Sequence, residues 1–220
     1  MKTTELKTAA WKELRRQFEP LGFKKTPRHQ SISKPLQDGV VDINVRGVGS
    51  APYVRIEFYF RLRDHTVDRK VNEIREAFWG RKIEHPWPLM SVRGYTFLKP
   101  EQDRYGTKND PGHPVTNLED VMAVMGTYVD LYEKEIEPFF DAQQNLRVLD
   151  RVLSDPTGRE SPYMSGADSV AIHGLVTKSL LGEDLSETLA LFERRSEGYT
   201  RATIQDVKDV FDMLRKNPLG

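Results

Sequence analysis

Apolar residues at Leu6, Ala10, Leu14, Phe18 and Leu21 recur at helical spacing, with Lys12, Arg15 and Arg16 on the opposite side, and predict an amphipathic first helix. Gly22 stands where such a helix stops, and Pro20 predicts an end close by. Residues 23–34 are polar and contain Pro27; because proline cannot donate to a ladder, they can supply only an edge or irregular strand. The period then changes. Val41, Ile43 and Val45 alternate with Asp42, Asn44 and Arg46; after a turn over residues 47–52, Val54, Ile56, Phe58, Phe60 and Leu62 alternate with Arg55, Glu57, Tyr59, Arg61 and Arg63. Both stretches read as strands of an antiparallel hairpin, each with one dry face and together with a mixed but net basic outer face.

Helical spacing returns at Val67, Val71, Ile74 and Phe78, with Asp64 or Thr66 as the expected cap and Gly80 as the expected stop. Residues 92–98 predict a further strand, and residues 99–116, rich in Pro, Gly, Asp and Asn, a loop. Asn117, followed by Glu119 and Asp120, caps a long helix with Leu118, Val121, Met122, Met125, Val129, Tyr132, Ile136 and Phe139 on its apolar face. Pro138 is expected to kink or end it. Further helices are expected around Leu146–Leu153, from the Ser165-x-x-Asp168 cap signal to Gly182, around Leu185, Leu189 and Phe192, and over Ile204, Val207, Phe211 and Leu214. The fold class that follows is α+β: an N-terminal helix and an antiparallel sheet of about four strands, followed by a C-terminal all-helical segment.

Charge sharpens this division. The chain has 33 Lys+Arg and 33 Asp+Glu, yet residues 1–116 hold 22 and 14 of them, a net of +8, and residues 117–220 hold 11 and 19, a net of −8. A basic α+β part over 1–116 and an acidic helical part over 117–220 are therefore expected, packed together as one continuous domain whose halves attract each other. With no cysteine, disulfides, thiolate metal sites and cysteine nucleophiles are all excluded, and a reducing cytoplasm fits. Residues 1–11 hold no apolar run of signal-peptide or membrane-span length, so a soluble cytoplasmic protein is expected, with no membrane partner.

An amphipathic helix running into Leu21-Gly22-Phe23-Lys24-Lys25, then hairpin strands, then a long helix ending Glu137-Pro138-Phe139-Phe140 resembles an uncharacterised bacterial domain family that shares a Leu-Gly-Phe-Lys-Lys and a Pro-Phe-Phe segment. The resemblance covers residues 5–155. It implies an α+β domain with an antiparallel sheet and, through relatives regarded as toxin-immunity proteins, a protein partner. It implies no functional residue.

The chemistry-bearing residues name no reaction. His29, His65, His85, His113 and His173 show neither His-x-x-x-His nor His-Glu-x-x-His spacing, and His173, beside Ile172, Leu175 and Val176, reads as an edge-of-core residue. No Gly-x-Ser-x-Gly elbow, P-loop or dinucleotide glycine fingerprint is present, so no catalytic, cofactor or metal residue is assigned. The candidate binding surface is Arg46, Arg55, Tyr59, Arg61 and Arg63 on the outer hairpin face, together with Trp79 and Trp87 beside Phe78, His85, Pro86 and Pro88. The arginines can meet an acidic partner, or they can be hydrated or covered by the chain's own acidic helices; the tryptophans can anchor a partner or cap a core. One stacking ring on the basic face, with Glu57 and Asp42 beside it, disfavours nucleic acid. The leading expectation is a non-catalytic protein-binding protein, immunity-like in character; the alternative is an enzyme or nucleic-acid-processing protein that uses the basic sheet face.

Overall fold

The computed structural model describes residues 3–26, 31–50, 53–80, 88–93, 113–154, 167–195 and 201–219. The chain is α+β, with an N-terminal helix, an antiparallel sheet and a C-terminal run of helices. It forms two compact units: Met1–Leu36, Val40–Leu62 and Ser91–Phe140 in the first, Gln37–Gly39, Arg63–Met90 and Asp141–Gly220 in the second.

In the first unit, α1 (Thr3–Phe18) buries Leu6, Ala10, Leu14 and Phe18, the stripe its periodicity sets out. It ends in a 3₁₀ turn over Glu19–Leu21, and Gly22 takes the left-handed conformation (φ 91°) that closes the turn. Six strands follow among the described residues: β1 (Lys24–Lys25), β2 (Ser31–Pro35), β3 (Val40–Ser50), β4 (Tyr53–Arg63), β5 (Met90–Arg93) and β6 (His113–Val115). Their order is β1-β2-β3-β4-β5, with β6 also paired to β4. Ser31 lies opposite Asn44 and Ser33 opposite Asp42, while Arg55 lies opposite Pro114.

The apolar face of the sheet is covered by α1 and by α3 (Leu118–Leu131), which also pack on each other. The Tyr128 ring stacks on Phe58 at 3.8 Å between centroids, and Tyr132 meets Phe60 at 6.1 Å and Phe18 at 5.8 Å. Asn117 and Asp120 form a reciprocal capping box at the start of α3. Here lies the reason the compact units do not follow the charge break. α3 comes from the acidic half, but its aromatic residues are the cover for the sheet, so the break at 116/117 falls inside the first unit.

The second unit contains α2 (Thr66–Trp79), α5 (Leu146–Leu153), α6 (Ala167–Leu181), α7 (Ser186–Arg195) and α8 (Arg201–Lys216). α6 packs against the other four and is buried from Ser169 to Ser179. Its approach to α7 is close enough that a Cβ on Gly174 would lie 3.1 Å from Thr188 Cγ2. Among the described residues no helix is long and apolar enough to cross a membrane.

Several local expectations change. Helix α2 is capped by His65, not Asp64 or Thr66: Nδ1 accepts the Val67 N–H at 3.2 Å, while Asp64 takes a left-handed φ of 55°, which the short Asp side chain tolerates. Residues 113–115, expected in a loop, are β6; the rest of that loop, 99–112, and residues 94–98 of the expected strand lie outside the described residues. Pro138 does not end its helix. A π-turn over Tyr132–Ile136 precedes it, with the Glu137 N–H bonded to Tyr132 O, and the chain continues as α4 (Glu137–Ala142). The wider turn advances the buried face, so Phe140 is buried where Phe139 was expected. Leu118 and Met122, expected on the dry face, are 49% and 45% exposed, because α3 turns Tyr128 to the sheet instead.

Candidate functional site

Two groups of polar residues stand out, one on the sheet and one between helices. On the sheet, strict alternation along β3 and β4 puts Asp42, Asn44 and Arg46 on the same side as Arg55, Glu57, Tyr59, Arg61 and Arg63. α1 and α3 lie on the other, apolar side. On the polar side the acids are sunk: Asp42 is 8% exposed and Glu57 7%. Arg46 is exposed, and Arg55, Tyr59, Arg61 and Arg63 are half-buried. Tyr59 Oη donates to Glu57 at 2.7 Å and the Arg61 guanidinium sits 5.9 Å from the Tyr59 ring centroid, so these side chains support one another. Arg63 pairs with Asp64 at 3.0 Å. The surface presented outward is thus guanidinium, with carboxylates beneath it.

Of the two tryptophans in the predicted surface, Trp79 is the last residue of α2, where only its backbone is described, and Trp87 lies outside the described residues. The structure therefore brings together Arg46, Arg55, Tyr59 and Arg61 on one face, with Arg63 at the far end of β4.

The second group lies in the helical unit. Helix α2 carries His65, Asp68, Asn72 and Arg75 at spacings of three, four and three, beside its apolar stripe of Val67, Val71 and Ile74. Helix α6 carries Ser169, His173 and Thr177 at spacings of four. The two helices pack on each other, and His65, Asp68, Arg75, Ser169, His173 and Thr177 are all buried. Among the described residues, Asp68 Oδ1, Asn72 Oδ1 and His173 Nε2 are buried atoms that form no hydrogen bond.

Asp68 and His173 depart from their ordinary values for definite reasons. Burial, reinforced by the Asp64 carboxylate, pushes Asp68 up to about 7, against the Asp64 N–H that Oδ2 accepts at 2.9 Å. That rise from 3.8 corresponds to about 4 kcal/mol favouring the neutral acid. A helix N-terminus offers a carboxylate only about 0.3–1 kcal/mol, so desolvation wins. Burial likewise brings His173 down to about 4, helped by the positive charge of Arg75 and only partly offset by its contact with the Ser169 carbonyl. The ring is therefore neutral near pH 7, with Nδ1 donating to Ser169 O at 2.7 Å.

His65 and Asp38 have the composition of a catalytic dyad but not its geometry. Asp38 accepts from Thr66 N–H and Arg69 Nη2, each at 3.0 Å, and its Oδ2 lies 3.4 Å from His65 Nε2 without an aligned hydrogen bond. Burial lowers the His65 pKa despite Asp38, so the imidazole is neutral; with Nδ1 accepting from Val67, the proton is on Nε2. No lone pair remains for a substrate proton. Among the described residues no three carboxylates or histidines are grouped to hold a metal ion.

Sequence reasoning missed the helical seam because it reads polar residues at helical spacing as a solvated face. His173 was expected at the edge of the core and is wholly buried. The available signal was α6 itself, apolar on every side of its polar stripe, which is the composition of a helix surrounded by others. No protein-family model, curated protein or solved structure matches the chain.

Proposed function

We propose that this chain is a non-catalytic cytoplasmic protein-binding protein, immunity-like in character, that docks an acidic surface of a partner protein on the polar face of β3 and β4. The observation that carries the reading is the depth ordering on that face: Asp42 and Glu57 buried, Arg46 exposed and Arg55 and Arg61 half-buried above them. Buried carboxylates present little negative charge to a partner, which leaves the guanidinium groups to set the charge of the face. The resemblance to a bacterial family with immunity-like relatives points the same way, and the absence of cysteine fits a reducing compartment. Use of the same face by an enzyme or nucleic-acid-processing protein is less well supported. Tyr59 has its hydroxyl bonded to Glu57 and its ring beside Arg61, so it is already engaged and makes a poor stacking platform.

The test is affinity capture from the native host with the wild type and the Arg46→Glu/Arg55→Glu variant in parallel, followed by affinity measurement on each captured protein. The expected partner is acidic, loses at least tenfold in affinity to the variant, and associates more slowly as salt rises. If the wild type and the variant retain the same proteins with the same affinities, the sheet face is not the docking surface. Salt-sensitive binding of a labelled single-stranded oligonucleotide, stronger than that of any captured protein, would instead favour the nucleic-acid reading.

A further inference from the structure

The seam between α2 and α6 has no part in the docking reading, and its construction asks for a different account. Asp68 is 2% exposed; one carboxyl oxygen accepts a backbone N–H and the other forms no hydrogen bond among the described residues. Of the charged and titratable groups around it, Arg69 favours the carboxylate, but too weakly to offset burial. Asp64, one turn back, has the same sign. Arg69 is turned away to Asp38, Thr66 Oγ1 and the Asp64 carbonyl. Asp38 belongs to that same Arg69 pair, and His65 is neutral. From α6, His173 is neutral as well. Arg75 lies two turns further along α2. An ionised Asp68 is therefore a buried anion that the Asp64 and Arg69 backbone and the Arg69 charge offset only in part, whereas a protonated Asp68 is a neutral group of the same shape.

We propose that this seam is a proton-gated joint, closed while Asp68 carries its proton and loosened when the proton leaves. Geometry sets the direction: opening the seam exposes the carboxyl to water, so the open form is the one that welcomes the charge. The position of Asp68 near 7 puts the transition close to neutrality. α2 is the moving part, since α6 is also held by α5, α7 and α8.

The test is amide hydrogen exchange of residues 66–79 at pH 6, 7 and 8, corrected for the intrinsic pH dependence of exchange, on the wild type and Asp68→Asn. The asparagine copies the neutral acid in shape. Wild-type protection over α2 is expected to fall about tenfold between pH 6 and pH 8, because a group with a pKa near 7 ionises fully across that interval. Asp68→Asn is expected to keep its pH 6 protection throughout. A carboxyl carbon NMR titration of the wild type supplies a readout that needs no variant, with the Asp68 midpoint expected between pH 6 and pH 8. Flat wild-type protection, an undiminished fall in Asp68→Asn, or an Asp68 midpoint below pH 5 overturns the proposal.

Discussion

Replacing His173 with asparagine keeps an N–H donor for the Ser169 carbonyl and removes the group that titrates. In the unfolded chain the imidazole has its ordinary value of 6.5, and in the folded chain about 4, because burial and then Arg75 oppose the imidazolium. Its folded pKa is depressed, so the unfolded chain binds the proton more tightly. The stability it contributes is fully present above pH 6.5 and is lost as pH falls through about 4. Between those limits the loss amounts to about 2.5 kcal/mol, from 1.36 kcal/mol per pH unit rounded off at both ends. His173→Asn loses none of it. Asp68 runs in the opposite sense: its folded pKa is raised, so its contribution is full below pH 3.8 and is lost as pH rises through about 7. Over pH 4 to 6.5 that loss is about 3 kcal/mol, which leaves the two groups offset to within about 1 kcal/mol in the wild type.

The measurement is urea unfolding by far-UV circular dichroism at half-unit steps from pH 4 to pH 6.5, for both proteins, with m compared across the series. The quantity of interest is the stability of the variant minus that of the wild type. Subtraction removes Asp68 and Asp38, which titrate in both proteins, and leaves the coupling of His65 to His173 within the difference. This difference is expected to move by about 2.5 kcal/mol in favour of the variant as pH falls from 6.5 to 4. At any single pH the asparagine can cost stability through the space left by the ring, but a cavity does not depend on pH. Two parallel profiles would refute the reasoning, since they would mean that His173 titrates alike in the folded and unfolded chains.

Two further outcomes follow from packing. Lys178 is buried and faces Asp150 at 3.2 Å, Glu183 at 3.5 Å and Glu187 at 3.9 Å; Lys178→Ala leaves Asp150 half-buried without its cation and is expected to cost about 3–5 kcal/mol at pH 7 in urea unfolding. Tyr128→Ala removes the ring that stacks on Phe58 at 3.8 Å and is expected to cost about 3–5 kcal/mol, seen as a lowered thermal midpoint; a cost under about 1 kcal/mol would contradict the close packing of α3 on the sheet.

The parts of the fold legible in the sequence are those where one periodicity settles one buried face. Leu6, Ala10, Leu14 and Phe18 on α1, and the alternating runs in β3 and β4, are such cases, and every residue assigned to those dry faces is buried apart from the half-buried Leu21. Where local geometry changes the phase, the pattern misleads. The π-turn before Pro138 shifts the register that a regular helix would carry from Ile136 to Phe139, and no residue count reveals it. The His65 cap was hidden for a different reason: imidazole is a rarer cap than the Asp and Thr that flank it, and only tertiary burial brings Nδ1 to the Val67 N–H. The arginine face was legible because alternation alone creates it. The α2–α6 seam was not, because two helices must meet before either polar stripe is buried.

The same reasoning alters what the charge pattern means. Cut at residue 116, the chain has halves of +8 and −8. Divided as the chain folds, the first unit holds 17 Lys+Arg and 14 Asp+Glu and the second 16 and 19, so the imbalance falls to +3 and −3. Most of the change comes from α3 and its continuation, which bring acidic residues to the basic α1 and sheet; Lys34 paired with Glu137 is one local instance. A net charge of this size on a unit of over a hundred residues gives little long-range steering at physiological ionic strength, where fields fade within about 8 Å. A partner docked on the sheet face as proposed would then be recognised through the local array of Arg46, Arg55 and Arg61 beside its buried acids. The salt dependence of partner association should accordingly follow those few arginines: neutralising a lysine on the outer side of α1 should leave it unchanged, whereas Arg46→Glu/Arg55→Glu should flatten it. If the α1 lysine proved equally important, the bipolarity of the chain, and not the face, would be what the partner reads.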